Sequence, residues 1–432
     1  MDLEKYPRVL IVTVNPLSTT SNNGKTYDSF FKGYPKERIA QLYFHREIPT
    51  SDVCENYYKI SDEDIIKQFL SRSENLGRKV YRADKEERLI PEKINNKMKK
   101  SAIVRFIRSL FWLSLDFEKN GVKNWLDKFD PEIIFFCGGN ANYLYNNVLM
   151  LSKKYNAKIV YYITDDYVLP YFSLNIFDLI NRHWTQSVFK KMCKNSSLIL
   201  TIGDKMSDVY KERYGLVSKK IMNLVQIKEK IILNNELKNN DLQFVYVGGL
   251  HSNRWKVLSF IGKSLERIEK KGFKGTLKVY SQHQPNEKIL REINNKEYSR
   301  YCGSLDSEGV KKVLEESDVL VHVESFDRSS KKITCLSVST KISEYMASAN
   351  CILAVGPEDV ASIEYLLETE SGFVMNSMEN EDLDNKIINI FQNPDKRVKY
   401  MENALLIAKK NHDIEVRRKE FQQDILNLKN LK

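Results

Sequence analysis

Cysteine, histidine and proline are scarce in this sequence of 432 residues, and the motifs that the first two build are missing. None of the six cysteines forms a CxxC pair, and several lie in apolar runs. We therefore expect reduced, mostly buried thiols and a cytosolic protein. The six histidines show no metal-ligand spacing such as HExxH. The sequence therefore predicts neither a disulfide framework, nor a metal site, nor a bound cofactor.

Long apolar runs and a targeting signal are missing as well. The first residues, MDLEKYPRVLIV, begin acidic and lack the basic-then-apolar order of a signal peptide. No apolar run approaches the roughly 20 residues that a membrane-spanning helix needs. We expect a cytoplasmic protein, with peripheral binding to the inner face of the membrane left open.

The bulk composition is that of a globular protein with a basic surface. Hydrophobic residues make up 42% and charged residues 29% of the chain, and the formal net charge is +11. The length favours two domains of about 200 residues each. The charge favours anionic partners such as nucleic acid, lipid headgroups or phosphorylated substrates. Basic faces that are simply solvated are the alternative.

Short apolar runs alternate with helical patterns in the first half of the chain, which indicates a parallel, doubly wound sheet. We predict strands at Arg8–Val14, Ala40–Phe44, Glu132–Cys137, Lys158–Thr164, Ser197–Ile202 and Ile221–Val225. The first strand is not followed by GxGxxG, so the dinucleotide fingerprint is absent. It is followed by a polar loop, residues 18–24. Gly24 at its end is either part of a substrate-binding loop or an ordinary turn glycine.

The strand pattern restarts after a polar linker at residues 233–241. We predict further strands at Leu242–Val247, Thr276–Tyr280, Tyr301–Gly303, Val319–Val323, Ile352–Val355 and Gly372–Val374. The prediction is an α/β protein with two Rossmann-type domains, residues 1–228 and 229–400, although no sequence repeat relates them. A helical insertion is expected at about 46–120. The last segment, 401–432, belongs to a long basic helical stretch broken near Asn393–Pro394, and is expected to pack on the first domain.

A basic segment at residues 97–115 combines lysines and arginines with bulky apolar side chains. Arg105 and Arg108 share one helix face, beside Val104 and Phe111. Such a helix can lie in a membrane interface and bind anionic lipid. The alternative, which we favour, is a helix that faces the core of the first domain.

The most informative stretch is Asp318–Pro357. An apolar strand ends at Glu324, and a helix that opens with Ser339, Thr340 and Lys341 carries Glu344 in its first turn. Ligands bind at such places because strand carboxyl ends and helix N-termini meet in one crevice. A carboxylate can accept two hydrogen bonds from a ribose diol, and a lysine at a helix start suits phosphate. Ser339 or Thr340 would cap the helix or touch a phosphate. The alternative is a capped helix with a Lys–Glu pair.

A glycine pair follows the first strand of the second half. Gly248 and Gly249 let a backbone approach a diphosphate, and Arg254 and Lys256 can neutralise a leaving group. The alternative is a tight turn before a solvated basic helix.

Two adjacent carboxylates, Asp165 and Asp166, end a strand of the first half. One of them could orient or deprotonate an acceptor hydroxyl, which would make it catalytic. Adjacent acids are also common helix caps.

These motifs resemble the GT-B glycosyltransferases, and most of all the retaining family 4. The resemblance is most specific from Leu242 to Pro357. Gly249 stands where the family has the Arg of a Gly-Arg-Leu turn, and Arg254 where it has a Lys. Glu344 resembles the glutamate that holds the donor ribose. Glu324 resembles the one that approaches the donor sugar, with an insertion between the two.

The resemblance implies two Rossmann-like domains facing a central cleft, no bound metal, and transfer of a sugar with retention. The donor would be a nucleoside-diphosphate sugar. The acceptor would be a saccharide or a lipid-linked saccharide in bacterial surface polysaccharide synthesis. STKISEYMAS is similar to versions of the motif in such hexosyltransferase-like enzymes.

Two other functions remain open from the sequence. A nucleotide-sugar 2-epimerase shares the same fold and would act on the donor without an acceptor. A non-enzymatic protein that binds membranes or nucleic acid would use the basic surface. Nucleic acid is the weakest of these partners, because no aromatic–basic recognition motif is present.

Overall fold

The computed structural model describes residues 3–19, 22–71, 75–84, 108–113, 115–168, 175–227 and 241–430. The chain divides into two compact units. Unit 1 comprises Met1–Ile221 and Val416–Lys432, and unit 2 comprises Met222–Glu415.

Unit 1 is built on an eight-stranded sheet in which neighbouring strands are parallel, apart from an antiparallel pair at one edge. Its strands are β1 (Val9–Thr13), β2 (Ile39–Tyr43), β3 (Asn56–Lys59), β4 (Arg78–Val80), β5 (Ile133–Cys137), β6 (Lys158–Ile163), β7 (Leu198–Thr201) and β8 (Lys219–Lys220). They lie in the order β4-β3-β2-β1-β5-β6-β7-β8. The central strands are short apolar runs that are buried along their whole length, as expected for a parallel sheet with helices on both faces.

The helices of unit 1 are α1 (Asn22–Phe31), α2 (Asp62–Ser71), α3 (Asn120–Phe129), α4 (Asn142–Tyr155), α5 (Ile176–Asn195) and α6 (Asp204–Tyr214). Their ends carry ordinary sequence signals. The side chain of Asn175 accepts a hydrogen bond from Phe177 N at the start of α5, and α6 ends at Gly215 with φ 66°. Residues 108–112 are also helical, and two 3₁₀ turns lie at Leu3–Lys5 and Lys36–Arg38.

Unit 2 is built on a six-stranded sheet whose paired strands are all parallel. Its strands are β9 (Asp241–Val247), β10 (Lys274–Tyr280), β11 (Ser299–Tyr301), β12 (Val319–Val323), β13 (Cys351–Val355) and β14 (Phe373–Met375). Their spatial order is β11-β10-β9-β12-β13-β14, so successive strands are added to one side of β9 as far as β11 and to its other side from β12 onward. This is the strand order of a Rossmann fold.

Helices cover both faces of the second sheet. They are α7 (Arg254–Glu269), α8 (Glu287–Ile293), α9 (Ser307–Glu316), α10 (Arg328–Thr334), α11 (Thr340–Ser348), α12 (Ala361–Glu368), α13 (Asn380–Gln392) and α14 (Pro394–Asn411). Alternate residues of β12 point to opposite faces. Val319, Val321 and Val323 pack with residues of α7 and α13, whereas Leu320 packs with residues of α11, α12 and α14.

A last helix, α15 (Ile414–Asn430), returns the chain to unit 1. Phe421 is 1% exposed and contacts the rings of Phe30, Phe31 and Phe135. The side chain of Arg418 donates to Ser29 O at 2.7 Å. The predicted break at Asn393–Pro394 is confirmed, because α13 ends at Gln392 and α14 begins at Pro394.

Three predicted boundaries differ from the structure. Residues 401–411 belong to α14 of unit 2, because Met401, Ala404 and Ala408 are buried in its core. The unit boundary lies at Ile221–Met222 rather than at residue 228. The predicted strand at Ile221–Val225 is wrong, since the strand is Lys219–Lys220 and only Val225 makes an isolated bridge, to Asp413.

Two expectations for the irregular part of unit 1 need correction. The insertion at 46–120 is not purely helical, because β3 and β4 lie within it, and β3 pairs with β2 on one side and with β4 on the other. These strands have only 4 and 3 residues, too few to show a period of two. Gly24 does not lie in a loop, since α1 begins at Asn22. A Cβ there would collide with Pro16 O, so the glycine lets α1 approach the preceding turn.

The predicted membrane-binding segment, 97–115, falls largely outside the described residues, which include 108–113 and 115. There Arg108 donates to Asp62 Oδ1 at 2.9 Å, and Trp112, 1% exposed, donates to the same atom at 2.6 Å. Trp112 therefore faces the core of unit 1, whereas Leu110 and Leu113 are 47% and 55% exposed, so membrane contact by this segment stays a prediction. Among the helices in the described part of the chain, none combines the length and apolarity that a membrane-spanning segment needs.

Candidate functional site

The candidate site of unit 2 lies where its sheet reverses strand order. Gly248 directly follows β9 and Glu324 directly follows β12, and these two strands are neighbours. The carboxyl ends of parallel strands share one edge of the sheet, and the helices that follow begin at that edge. The start of α7 places Arg254 there, and the start of α11 places Lys341 there.

Arg254 and Glu324 form a buried ion pair at this edge. Nη2 of Arg254 donates to both carboxylate oxygens of Glu324, at 2.9 and 3.0 Å. The side chains are 12% and 3% exposed. Nε2 of His322, two residues earlier on the same strand face, lies 3.4 Å from Glu324 Oε1. Burial alone would raise the pKa of Glu324, but the ring of His322 and the charge of Arg254 lower it to about 2. Glu324 is therefore an anion at neutral pH.

Lys341 lies close to this pair and forms no ion pair with any residue that the structure describes. Its Nζ lies 5.5 Å from the centroid of the Tyr246 ring. Burial, and then repulsion by Arg254, lower the pKa of Lys341 to about 8, although Glu324 and Glu344 act in the opposite direction. The same two causes, burial and the positive charges of Arg254 and Lys341, lower the pKa of His251. The site therefore has an excess of positive potential around one buried carboxylate.

The glycine pair after β9 makes room for these side chains. A Cβ on Gly248 would collide with Nζ of Lys341, and a Cβ on Gly249 with the ring of His251. The turn then passes through Ser252 and Asn253, both in the left-handed region, at φ 55° and 57°. Gly248 is thus needed so that the Lys341 ammonium can lie directly over the end of β9.

The helix start that carries Lys341 keeps its amides free of a side-chain cap. Ser339 occupies the N-cap position of α11, but its side chain makes no capping hydrogen bond to a described residue. Ser339 therefore does not cap the helix through its side chain, and the other role that the sequence left open, contact with a phosphate, stays a prediction. Its backbone N–H donates to Ser362 Oγ instead, at 2.9 Å, which holds the chain in place. Thr340 is exposed at the helix start, and Glu344 follows one turn later.

Lys256 is directed away from this group. Its Nζ lies 3.2 Å from Asp327 at the start of α10, and both side chains are partly exposed. The structure therefore brings together Gly248, Arg254, Glu324 and Lys341 of the predicted residues, and directs Lys256 to Asp327.

The two carboxylates of unit 1 have different surroundings. Asp166 accepts hydrogen bonds from Tyr210 Oη at 3.0 Å, Arg213 Nη1 at 3.2 Å and Val168 N at 3.2 Å, and its side chain is fully buried. Burial raises the pKa of Asp166, although Tyr210 and Arg213 act to lower it. Asp165 is only partly buried and accepts from Tyr167 Oη at 2.8 Å.

Two residues of the unit 2 site were not predicted, His322 and Gly356. His322 lies in a strand that is buried on both faces, so its burial does not distinguish it from its neighbours. The sequence signal for it is its position two residues before Glu324, which places both side chains on the same face of the strand. Gly356 follows β13, and a Cβ there would lie 2.8 Å from Glu324 Cβ. No cluster of three or more metal-binding side chains occurs within the described ranges.

Solved structures share the complete architecture at low sequence identity. HepE from Anabaena, in complex with UDP, matches with a TM-score of 0.62 and 13% identity, over 97% of this chain and 100% of its own. Sucrose-phosphate synthase from Thermosynechococcus elongatus matches with a TM-score of 0.64 and 13% identity, over 97% and 98%. WaaG, a glycosyltransferase involved in lipopolysaccharide biosynthesis, matches with 0.57 and 12%, over 96% and 99%.

Sequence comparison gives no such match: no protein-family model and no curated protein matches the chain. The structural matches extend over nearly the whole of each chain and include both units. The chain has the GT-B fold of glycosyltransferases, as its sequence predicted.

Proposed function

We propose that this chain is a glycosyltransferase that uses a nucleoside-diphosphate sugar as its donor. The observation that carries the proposal is the group formed by Arg254, Lys341 and the uncapped start of α11. This group lies where the strand order of the sheet reverses, between β9 and β12. Backbone N–H groups at a helix start and two cations are complementary to a diphosphate. Gly248 lets the diphosphate approach the backbone closely.

In the proposed reaction the bond between the sugar's anomeric carbon and the diphosphate oxygen breaks, and a bond from that carbon to an acceptor oxygen forms. The acceptor hydroxyl loses its proton, and the nucleoside diphosphate leaves with the bonding electrons. Arg254 and Lys341 stabilise the charge that develops on the leaving diphosphate. Glu344 accepts hydrogen bonds from the ribose hydroxyls.

We place the acceptor on unit 1. Asp165 is the better candidate for contact with the acceptor hydroxyl, because it is partly accessible at the end of β6. Asp166 is fully buried and bound to Tyr210, Arg213 and Val168, so its role is to hold the loop after β6. The acceptor is proposed to be a saccharide or a lipid-linked saccharide in surface polysaccharide synthesis, and transfer is proposed to proceed with retention.

The matched structures indicate which donors to test first. HepE has been crystallised with UDP and with UDP-glucose, and WaaG acts in lipopolysaccharide biosynthesis. UDP-sugars are therefore the first donors to test. A protein that works at the cytoplasmic face of the membrane would fit this role, with its basic surface toward anionic lipid.

The function is tested by thermal unfolding with UDP-, GDP- and dTDP-sugars. A ligand at one hundred times its Kd stabilises the folded state by about 2.7 kcal/mol. That corresponds to roughly 5–10 °C in Tm for a unit of this size. The expected result is stabilisation by one nucleotide, which also names the base. If no nucleotide sugar stabilises the protein, the proposed function is wrong.

Glu344→Ala tests the ribose contact. We expect donor KM to rise about tenfold or more, since a hydrogen-bonding partner of the ribose is lost. Glu368→Ala, an exposed glutamate on α12, is the matched control and is expected to leave KM unchanged. A Glu344→Ala protein with normal rate and KM would contradict this role. Donor turnover without any acceptor would instead favour the epimerase.

A further inference from the structure

The carboxylate of Glu324 is already occupied by protein groups. Both of its oxygens accept from one atom, Nη2 of Arg254, at 2.9 and 3.0 Å. Its second neighbour is the ring of His322, whose Nε2 lies 3.4 Å from Oε1. With 3% of the side chain exposed, the carboxylate has little surface left for an external hydroxyl group.

The backbone of Glu324 is held against β13. Glu324 N donates to Val355 O at 2.9 Å, which extends the pairing of β12 with β13. Gly356 directly follows β13, and because it has no side chain it leaves room for Glu324 Cβ. The glutamate is therefore fixed from the side of β13 as well as through its carboxylate.

Arg254, in contrast, keeps unused hydrogen-bonding capacity. Its Nε is buried and has no hydrogen-bond partner among the described residues. Its Nη1 lies 3.4 Å from His251 Nε2, a weak contact. A guanidinium carries five N–H donors, and Glu324 uses only one nitrogen of the three.

We infer that Glu324 is a positioning residue that acts through Arg254, and does not contact the donor sugar. Its carboxylate fixes the guanidinium so that Nη1, which makes only the weak contact with His251, is presented to the donor diphosphate. It also offsets the repulsion between Arg254 and Lys341, which lie together at the end of β9. This inference rests on the proposed function, and it replaces the role in sugar contact that the sequence suggested for Glu324.

The test compares UDP with UDP-glucose by isothermal titration calorimetry, on wild type and Glu324→Gln. The two ligands share the diphosphate, and only one carries a sugar. We expect Glu324→Gln to lower the affinities for UDP and for UDP-glucose by the same factor, between about tenfold and a hundredfold, because the Arg254 guanidinium is then misplaced. Loss of the negative charge beside the diphosphate acts in the opposite direction and reduces this factor. The criterion is therefore that both affinities fall, and that they fall by the same factor. A change confined to UDP-glucose would mean sugar contact and overturn the inference, as would no change for either ligand.

Arg254→Met provides the second criterion, in a double-mutant cycle. If Glu324 acts through Arg254, Glu324→Gln has no further effect on UDP affinity once Arg254 is replaced. An effect of unchanged size in the Arg254→Met background contradicts the inference. Glu324→Asp, which keeps the charge and shortens the side chain, covers the case in which Glu324→Gln does not fold. Glu324→Asp is also expected to lower the affinities for UDP and UDP-glucose by the same factor.

Asp384→Asn is the matched structural control. Asp384 is a buried carboxylate of unit 2 bound by an arginine, Arg267, at 2.7 and 2.9 Å. We expect this variant to lose stability and keep its UDP affinity. Loss of UDP affinity here would show that any broken ion pair disturbs the site, which would overturn the assignment. A wild-type protein that binds no nucleoside diphosphate would contradict the proposed function itself, before Glu324 is considered.

Discussion

At the residue scale, the candidate donor site depends on two cations that lie close together, Arg254 and Lys341. Arg254 has Glu324 as its partner, whereas Lys341 has a lowered pKa of about 8 because it is buried and repelled by Arg254. A lysine whose pKa is lower in the folded than in the unfolded state destabilises the fold while it is charged. That penalty decreases as the pH rises above about 8. A bound diphosphate would supply the missing negative charge and favour the protonated lysine.

This leads to a pH prediction for donor binding. Only the protonated form of Lys341 attracts the diphosphate, so UDP affinity is expected to be constant from pH 7 to about 8. Above that pH it is expected to fall by up to tenfold per pH unit. Titration calorimetry in two buffers of different ionisation enthalpy measures both the affinity and the proton taken up on binding.

Lys341→Arg is the variant that isolates this effect. An arginine stays protonated throughout this pH range, so the variant is expected to bind UDP with no loss between pH 8 and 9.5. Wild-type affinity that stays constant up to pH 9.5 would show that the protonation of Lys341 does not contribute to binding.

The candidate site could be predicted from sequence where several signals converge on one ligand. Lys341 and Glu344 stood out because a helix start, a cation and a carboxylate occur within five residues. His322 could not be identified, because a strand buried on both faces hides which of its side chains face the site. The different environments of Asp165 and Asp166 depend on Tyr210 and Arg213, which are distant in the sequence.

At the element scale, the predicted strands were found wherever a β-branched or aromatic run was long enough. β12 matches its predicted bounds, Val319–Val323, and β9 extends the predicted run by one residue. Short elements were missed, such as β3, β4 and the helix α10. Their formation is decided by pairing and packing with distant segments, and a few residues carry too little periodicity to reveal them.

The helix α15 gives a prediction about stability at this scale. Phe421 inserts among Phe30, Phe31 and Phe135, with ring centroids 5.1, 5.2 and 5.9 Å away. Phe421→Ala should leave a cavity and lower the free energy of unfolding of unit 1 by about 3–5 kcal/mol. Urea unfolding of the full chain, followed by circular dichroism, measures the loss.

Leu406→Ala on α14 is the control for this measurement. Leu406 is 65% exposed, so the change in free energy is expected to stay within about 0.5 kcal/mol. A loss below about 1 kcal/mol for Phe421→Ala would mean that α15 contributes little to the stability of unit 1.

At the scale of the whole molecule, the two units repeat one topology with different chemistry. In unit 1 the strand order reverses beside β1, between β1 and β5, as it does beside β9 in unit 2. Either place is therefore a ligand-binding position by topology alone. In unit 1 the uncharged Asn15 and Gly138 follow the two strands. In unit 2 the corresponding edge carries Arg254 and Lys341.

Hydrogen exchange of the full chain tests whether the chemistry, and not the topology, selects the site. UDP binding should satisfy the free amides at the start of α11 and in the turn after β9. We therefore expect the largest increase in protection in peptides covering residues 246–256 and 338–346. Peptides that cover residues 13–19 and 137–142, at the equivalent edge of unit 1, serve as the internal comparison. Largest protection in that second pair would place the nucleotide on unit 1. It would then remove the basis for assigning Arg254 and Lys341 to the donor.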